Sequence, residues 1–63
     1  MKRITKERKK RKMSQFDLST ALKIHPSLIT KFESGMSRPY KPNEKKLEKF
    51  FEMDIETLLE EVE

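Results

Sequence analysis

Apolar residues along this chain recur at intervals of three and four, and nowhere alternate with a period of two over a useful length. That spacing predicts helices and no strands. The first helix is expected over about Arg3 to Arg11, with Ile4 and Arg8 on one face and charge almost everywhere else. A second starts after Ser14, which can cap it, with Asp17 three residues on as a short-armed capping box, and ends near Leu22. Leu18, Ala21 and Leu22 form its expected inner face. A third runs from Pro26 to Ser34, with Ile29 and Phe32 inward. Pro26 falls at the first helical position, where it has no hydrogen bond to lose; His25 is the cap and Gly35 the left-handed closing residue. A loop, "MSRPYKPN", then leads to a fourth helix from about Asn43 to Glu52, with Leu47, Phe50 and Phe51 inward. A last helix begins at Asp54, where Ile55, Leu58, Leu59 and Val62 make a stripe at i, i+3, i+4 and i+7.

The helix starts share a signature. An apolar residue just before the cap is matched by one five positions later: Met13 with Leu18, Ile24 with Ile29, Met53 with Leu58. Each pair fits a hydrophobic staple, which sets the angle at which the chain enters a helix. Only Lys23 to His25 separate the second and third helices. Two amphipathic helices joined so tightly must cross steeply to share a core, which is helix-turn-helix geometry.

Composition narrows the picture. Sixty-three residues allow one small domain, either whole in itself or part of a longer chain. A domain of this size buries only about 60% of its unfolded surface, so its stability is marginal. There is no cysteine, hence no disulfide and no cysteine-based zinc site, and no apolar run long enough for a membrane or a signal peptide. An intracellular soluble protein is expected. Charge is polarised: residues 1–13 hold eight bases against Glu7 alone, and residues 52–63 hold six acids and no base. One end suits a polyanion and the other repels it. His25 is the only histidine, with no nucleophile or paired carboxylate placed to work with it, so no enzyme, metal, cofactor or small-molecule ligand is expected.

The stretch "SQFDLSTALKIHPSLITKFESG" resembles the lambda-repressor-like helix-turn-helix regulators of the Cro/repressor or XRE type. The likeness covers about Ile4 to Leu59. Gln15, the apolar set Leu18, Leu22, Ile24, Ile29 and Phe32, small Ser19, the Glu33-x-Gly35 ending, Pro39 and the closing "FEMDIETLL" all match the family pattern. Lys23 and Glu52 stand where the family has glycine, and Pro26 where it often has Gln or Arg.

The resemblance implies a compact, all-α, five-helix domain and a sequence-specific regulator of transcription, a repressor, that lays residues 26–34 in the major groove of double-stranded DNA as a homodimer on a two-fold site. No membrane partner is implied. Chemistry then limits the readers. Lys31 can donate to guanine, Thr30 offers a methyl and a hydroxyl, Ser27 and Ser34 share that face, and Pro26 at the entrance can touch a thymine methyl. No Arg, Asn or Gln is present for bidentate contacts there, so specificity is expected to lean on DNA shape and dimer spacing. Phosphate contacts are assigned to Ser14, Gln15, His25, Arg38, Lys41 and Asn43, with capping alone an equal account of Ser14 and a solvated loop the alternative for Arg38 and Lys41. Arg8 and Glu33 are expected to form a structural ion pair. Ile55, Leu58, Leu59 and Val62 are candidates for a dimer contact, with core packing the alternative. The rival to DNA binding is a protein-interaction module that keeps the fold without the function.

Overall fold

The computed structural model describes residues 1–63 as five helices: α1 (Arg3–Lys10), α2 (Gln15–Leu22), α3 (Pro26–Ser34), α4 (Lys41–Phe51) and α5 (Ile55–Leu58). The fold is all-α. Nine apolar side chains from all five helices and one turn form a single core: Ile4, Leu18, Ile24, Ile29, Phe32, Leu47, Phe51, Ile55 and Leu58.

Three of the connections are built alike. A residue in the left-handed region ends one helix, an apolar residue follows, and the cap of the next helix comes third. The triplets are Lys12-Met13-Ser14, Lys23-Ile24-His25 and Glu52-Met53-Asp54. In each, the apolar residue's N–H reaches back to a carbonyl five residues earlier: Met13 to Arg8 at 3.2 Å, Ile24 to Ser19 at 3.0 Å, Met53 to Glu48 at 3.3 Å. The same residue packs on the core as the staple of the next helix. Left-handed backbone costs a side chain about 1–2 kcal/mol. Lys12, Lys23 and Glu52 adopt it all the same, at φ 57, 56 and 57°, because tertiary packing fixes the angle between helices.

Three expectations need correction. Ala21 is exposed, because the packed direction of α2 runs through Leu18 and Ser19, with Leu22 beside the core. Buried Ser19 satisfies its hydroxyl on the Phe16 carbonyl at 2.7 Å. Helix α4 starts at Lys41 rather than Asn43, with Pro42 in its first turn, where a missing N–H again loses nothing. The loop therefore shrinks to 36–40, with Pro39 buried within it. The last helix is one turn long, and Val62 lies outside it. After Leu59 the chain reverses and pairs with the start of the molecule. Arg3 N–H donates to the Glu60 carbonyl at 2.8 Å and Val62 N–H to that of Met1 at 2.7 Å. Asp54, expected to open α5, caps it with no side-chain bond; Glu48 of α4 accepts the Ile55 N–H instead, at 2.8 Å.

This reversal draws the acidic end against the basic one. Lys2 Nζ lies 3.1 Å from Glu61 and Arg3 4.0 Å from Glu60. Arg11 reaches Glu7 at 3.0 Å and lies over the Phe51 ring at 4.9 Å. Lys10 also reaches Glu7 at 3.6 Å and Lys6 the Glu63 carbonyl at 3.2 Å, so the polarity visible along the sequence is partly neutralised in space, and Lys9 and Lys12 are exposed outside these contacts.

Candidate nucleic-acid interface

Helix α3 is held at both ends. At its start, His25 Nδ1 accepts the Ser27 N–H at 3.1 Å. A ring nitrogen that accepts an N–H leaves the imidazole its N–H at Nε2. At its end, Gly35 turns left-handed at φ 81° and Met36 N–H closes on the Lys31 carbonyl at 3.0 Å. Ile29 and Phe32 are buried, Pro26 and Leu28 half-buried, and Ser27, Thr30, Lys31 and Ser34 exposed. One face anchors the helix and a polar face is left to solvent.

A polar chain that runs from the buried Arg8–Glu33 pair out to the surface at Thr30 sets its orientation. Arg8 of α1 donates to Glu33 of α3 through both Nε, at 2.6 Å, and Nη2, at 2.9 Å. Its Nη1 donates to the Met13 carbonyl in the α1–α2 turn at 2.6 Å. Glu33 Oε1 also accepts from Gln15 Nε2 at 3.0 Å, and Gln15 Oε1 accepts from the Thr30 hydroxyl at 2.9 Å. Burial pushes the Glu33 carboxyl up, but hydrogen bonds from Arg8 and Gln15 and the Arg8 charge outweigh it and hold the group below the usual carboxylate range. The hydrogen bond to Glu33 in turn raises Arg8. The expected Arg8–Glu33 pair is present, and the chain beyond it is longer than sequence reasoning foresaw. Linear spacing offers no signal that residues 15, 30 and 33 meet.

Gln15, assigned to a phosphate, is thus an internal strut whose second Nε2–H is the only donor it has left for a phosphate. Ser14 closes a reciprocal capping box with Asp17, 2.9 Å in each direction, and its backbone N–H and hydroxyl together hold the Asp17 carboxyl below the usual carboxylate range. Arg38 is gripped by carboxylates on two helices: Glu56 at 2.6 Å and Glu44 at 3.5 Å. Lys41 is exposed in the first turn of α4. Lys31, Arg38 and Asn43 come together around a cavity of about 260 Å³ between α3 and the start of α4. Tyr40, at the cavity edge and 81% exposed, was missed by sequence reasoning, as was Phe16, 67% exposed in the first turn of α2.

The four residues named for a dimer contact do not form one surface. Ile55 and Leu58 are core residues, while Leu59 and Val62 are half-buried on either side of the chain reversal.

The family model described as helix-turn-helix matches residues 4–58. This chain belongs to the lambda-repressor-like helix-turn-helix family. That is a family of DNA-binding transcriptional regulators, and its motif here comprises α2, the Lys23–His25 turn and α3. No curated protein and no solved structure matches this helix-turn-helix chain. No helix in it is long and apolar enough to cross a membrane.

Proposed function

We propose that this helix-turn-helix domain binds double-stranded DNA in a sequence-dependent manner with α3 along the major groove, and that it represses transcription as a dimer on a two-fold site. The observation that carries the reading is the exposed polar face of α3, Ser27, Thr30, Lys31 and Ser34, on a helix whose orientation is locked by a buried ion pair. Rigid presentation of a few polar side chains is what base readout requires. Lys31 is the donor for guanine O6 and N7. His25 through its Nε2–H, Ser14 through its hydroxyl once it turns from Asp17, and Gln15, Lys41 and Asn43 supply phosphate contacts, and Arg38 joins them once it leaves Glu56. Pro26 lends its ring to a thymine methyl. One such helix reads too few base pairs to find a site alone, so two copies spaced about 34–36 Å apart are expected. Leu59 and Val62 are the members of the apolar set with surface left to contribute to that dimer.

The test is duplex binding followed across salt. Affinity should fall steeply between about 50 and 200 mM, the mark of released counterions. Lys31→Ala should weaken binding to a selected site about tenfold or more, with unchanged melting. The rival reading, a protein-interaction module, draws on the neutralised Arg38 and on exposed Met36 and Tyr40. It prevails if duplex binding is absent or insensitive to both salt and Lys31→Ala.

A further inference from the structure

Two of the three hydroxyls on the outer face of α3, those of Thr30 and Ser34, have their protons already committed. A hydroxyl owns one proton and two acceptor lone pairs. Thr30 Oγ1 lies 2.9 Å from Gln15 Oε1 and 3.3 Å from the Pro26 carbonyl oxygen. Both neighbours are acceptors, so the Thr30 proton points inward whichever one it serves. The orientation of the Gln15 amide that makes this true is dictated by chemistry. The Glu33 carboxylate, 3.0 Å away, can only accept while ionised, so the amide must turn its nitrogen to Glu33 and its oxygen to Thr30. Ser27 is not committed in this way: its Oγ lies 2.8 Å from His25 Nδ1, whose single lone pair also faces the Ser27 N–H at 3.1 Å. Ser34 donates to the Lys31 carbonyl at 3.1 Å and accepts the Met36 N–H at 3.4 Å.

We propose that the Thr30 and Ser34 hydroxyls of the α3 reading face act as acceptors only, and that Thr30 selects a base with an exocyclic amino group, adenine or cytosine, on the strand it faces. In the major groove adenine N6 and cytosine N4 are donors, whereas guanine N7 and O6 and thymine O4 are acceptors. A keto base opposite Thr30 meets lone pair against lone pair. To satisfy it the hydroxyl must turn outward and strand the Gln15 carbonyl, which the buried Glu33 prevents from flipping. Lys31, a pure donor, has the opposite preference one residue away. This rests on the duplex-binding reading above and adds to it a polarity rule: amino bases under Thr30, a keto purine under Lys31.

The experiment selects bound sites from a random duplex pool with the wild-type chain and with Thr30→Val, which keeps the shape and the methyl but removes the hydroxyl. Base pairs whose preference differs between the two selections are those Thr30 reads. Wild type should prefer one base pair there by about 2- to 10-fold, the worth of one hydrogen bond, and Thr30→Val should lose that preference. Every pair carries one amino base, so the polarity is read by removing that group: the analogue without it, purine deoxyriboside where the base is adenine, should weaken wild type by the same factor and leave Thr30→Val unchanged. Gln15→Met, checked for folding by its melting curve, removes the nearer inward acceptor and should admit the same pair in reversed orientation. Wild type indifferent to loss of the amino group, or no difference between the two selections, overturns the polarity rule while duplex binding stands. If wild type binds no duplex, the parent reading falls together with the rule.

Discussion

Two arginines in this small domain each meet a glutamate oxygen at 2.6 Å, Arg8 with Glu33 and Arg38 with Glu56. The contacts are equal in length and opposite in setting. The Arg8 and Glu33 side chains are 9% and 6% exposed, those of Arg38 and Glu56 52% and 75%. Away from water, a charge that loses its partner has nothing to replace it. In water, solvent and counterions stand in at once. Burial, and not distance, therefore decides which pair holds the molecule together. Arg8 ties three helices into one frame. Arg38 is free to exchange one anion for another, and a DNA phosphate is an anion of the right kind.

That contrast can be broken in order of expected effect. Glu33→Gln should destabilise the fold by about 3–5 kcal/mol, a large share of the stability of so small a domain, seen as a lower denaturation midpoint. An unchanged midpoint would remove the distinction between the two pairs. Acidification probes the same site more gently. Because the folded Glu33 carboxyl is held below its ordinary value, it contributes stability above the unfolded carboxyl's pKa of about 4.3, and that contribution is lost as pH falls through the folded value. Denaturation midpoints followed downward from neutral pH should drop more steeply in wild type than in Glu33→Gln; parallel curves would place the acid sensitivity elsewhere. The smallest effect on stability belongs to Glu56→Gln, which should leave the melting curve unmoved. It should instead strengthen duplex binding a few-fold by releasing Arg38 and removing a like charge from the phosphates, an increase that fades at high salt. Weaker binding in this variant would mean that Glu56 positions Arg38 rather than restrains it.

Much of the fold is legible in the sequence because its signals are local. Ser14, His25 and Asp54 stand at caps, the staple pairs lie five residues apart, and Pro26 and Gly35 bracket α3. What is not legible depends on residues far apart in the chain. The reversal that ends α5 is driven by pairing between Met1–Arg3 and Glu60–Val62, about sixty positions away, and no periodicity reports it. Pro42 was legible in principle, since the rule that places Pro26 inside a helix applies to it equally. Among the candidate site residues, the exposed face of α3 follows from helical spacing alone. The engagement of Gln15 with Glu33 and Thr30, and of Arg38 with Glu44 and Glu56, does not, because it joins side chains brought together only by the packed fold.

The three matching turns also govern how the domain tolerates changes of length. In Lys12-Met13-Ser14, Lys23-Ile24-His25 and Glu52-Met53-Asp54 the apolar residue closes one helix and staples the next, so the turns have no slack. One inserted residue within such a turn either breaks the closing bond or rotates the following helix by about 100°, swinging its inner face out of the core. Exchange of the left-handed Lys or Glu for glycine, by contrast, relieves a strained backbone. These joints admit changes of letter and refuse changes of number. Insertions are best accommodated in the exposed part of the Met36–Tyr40 loop, the one connection of a different build.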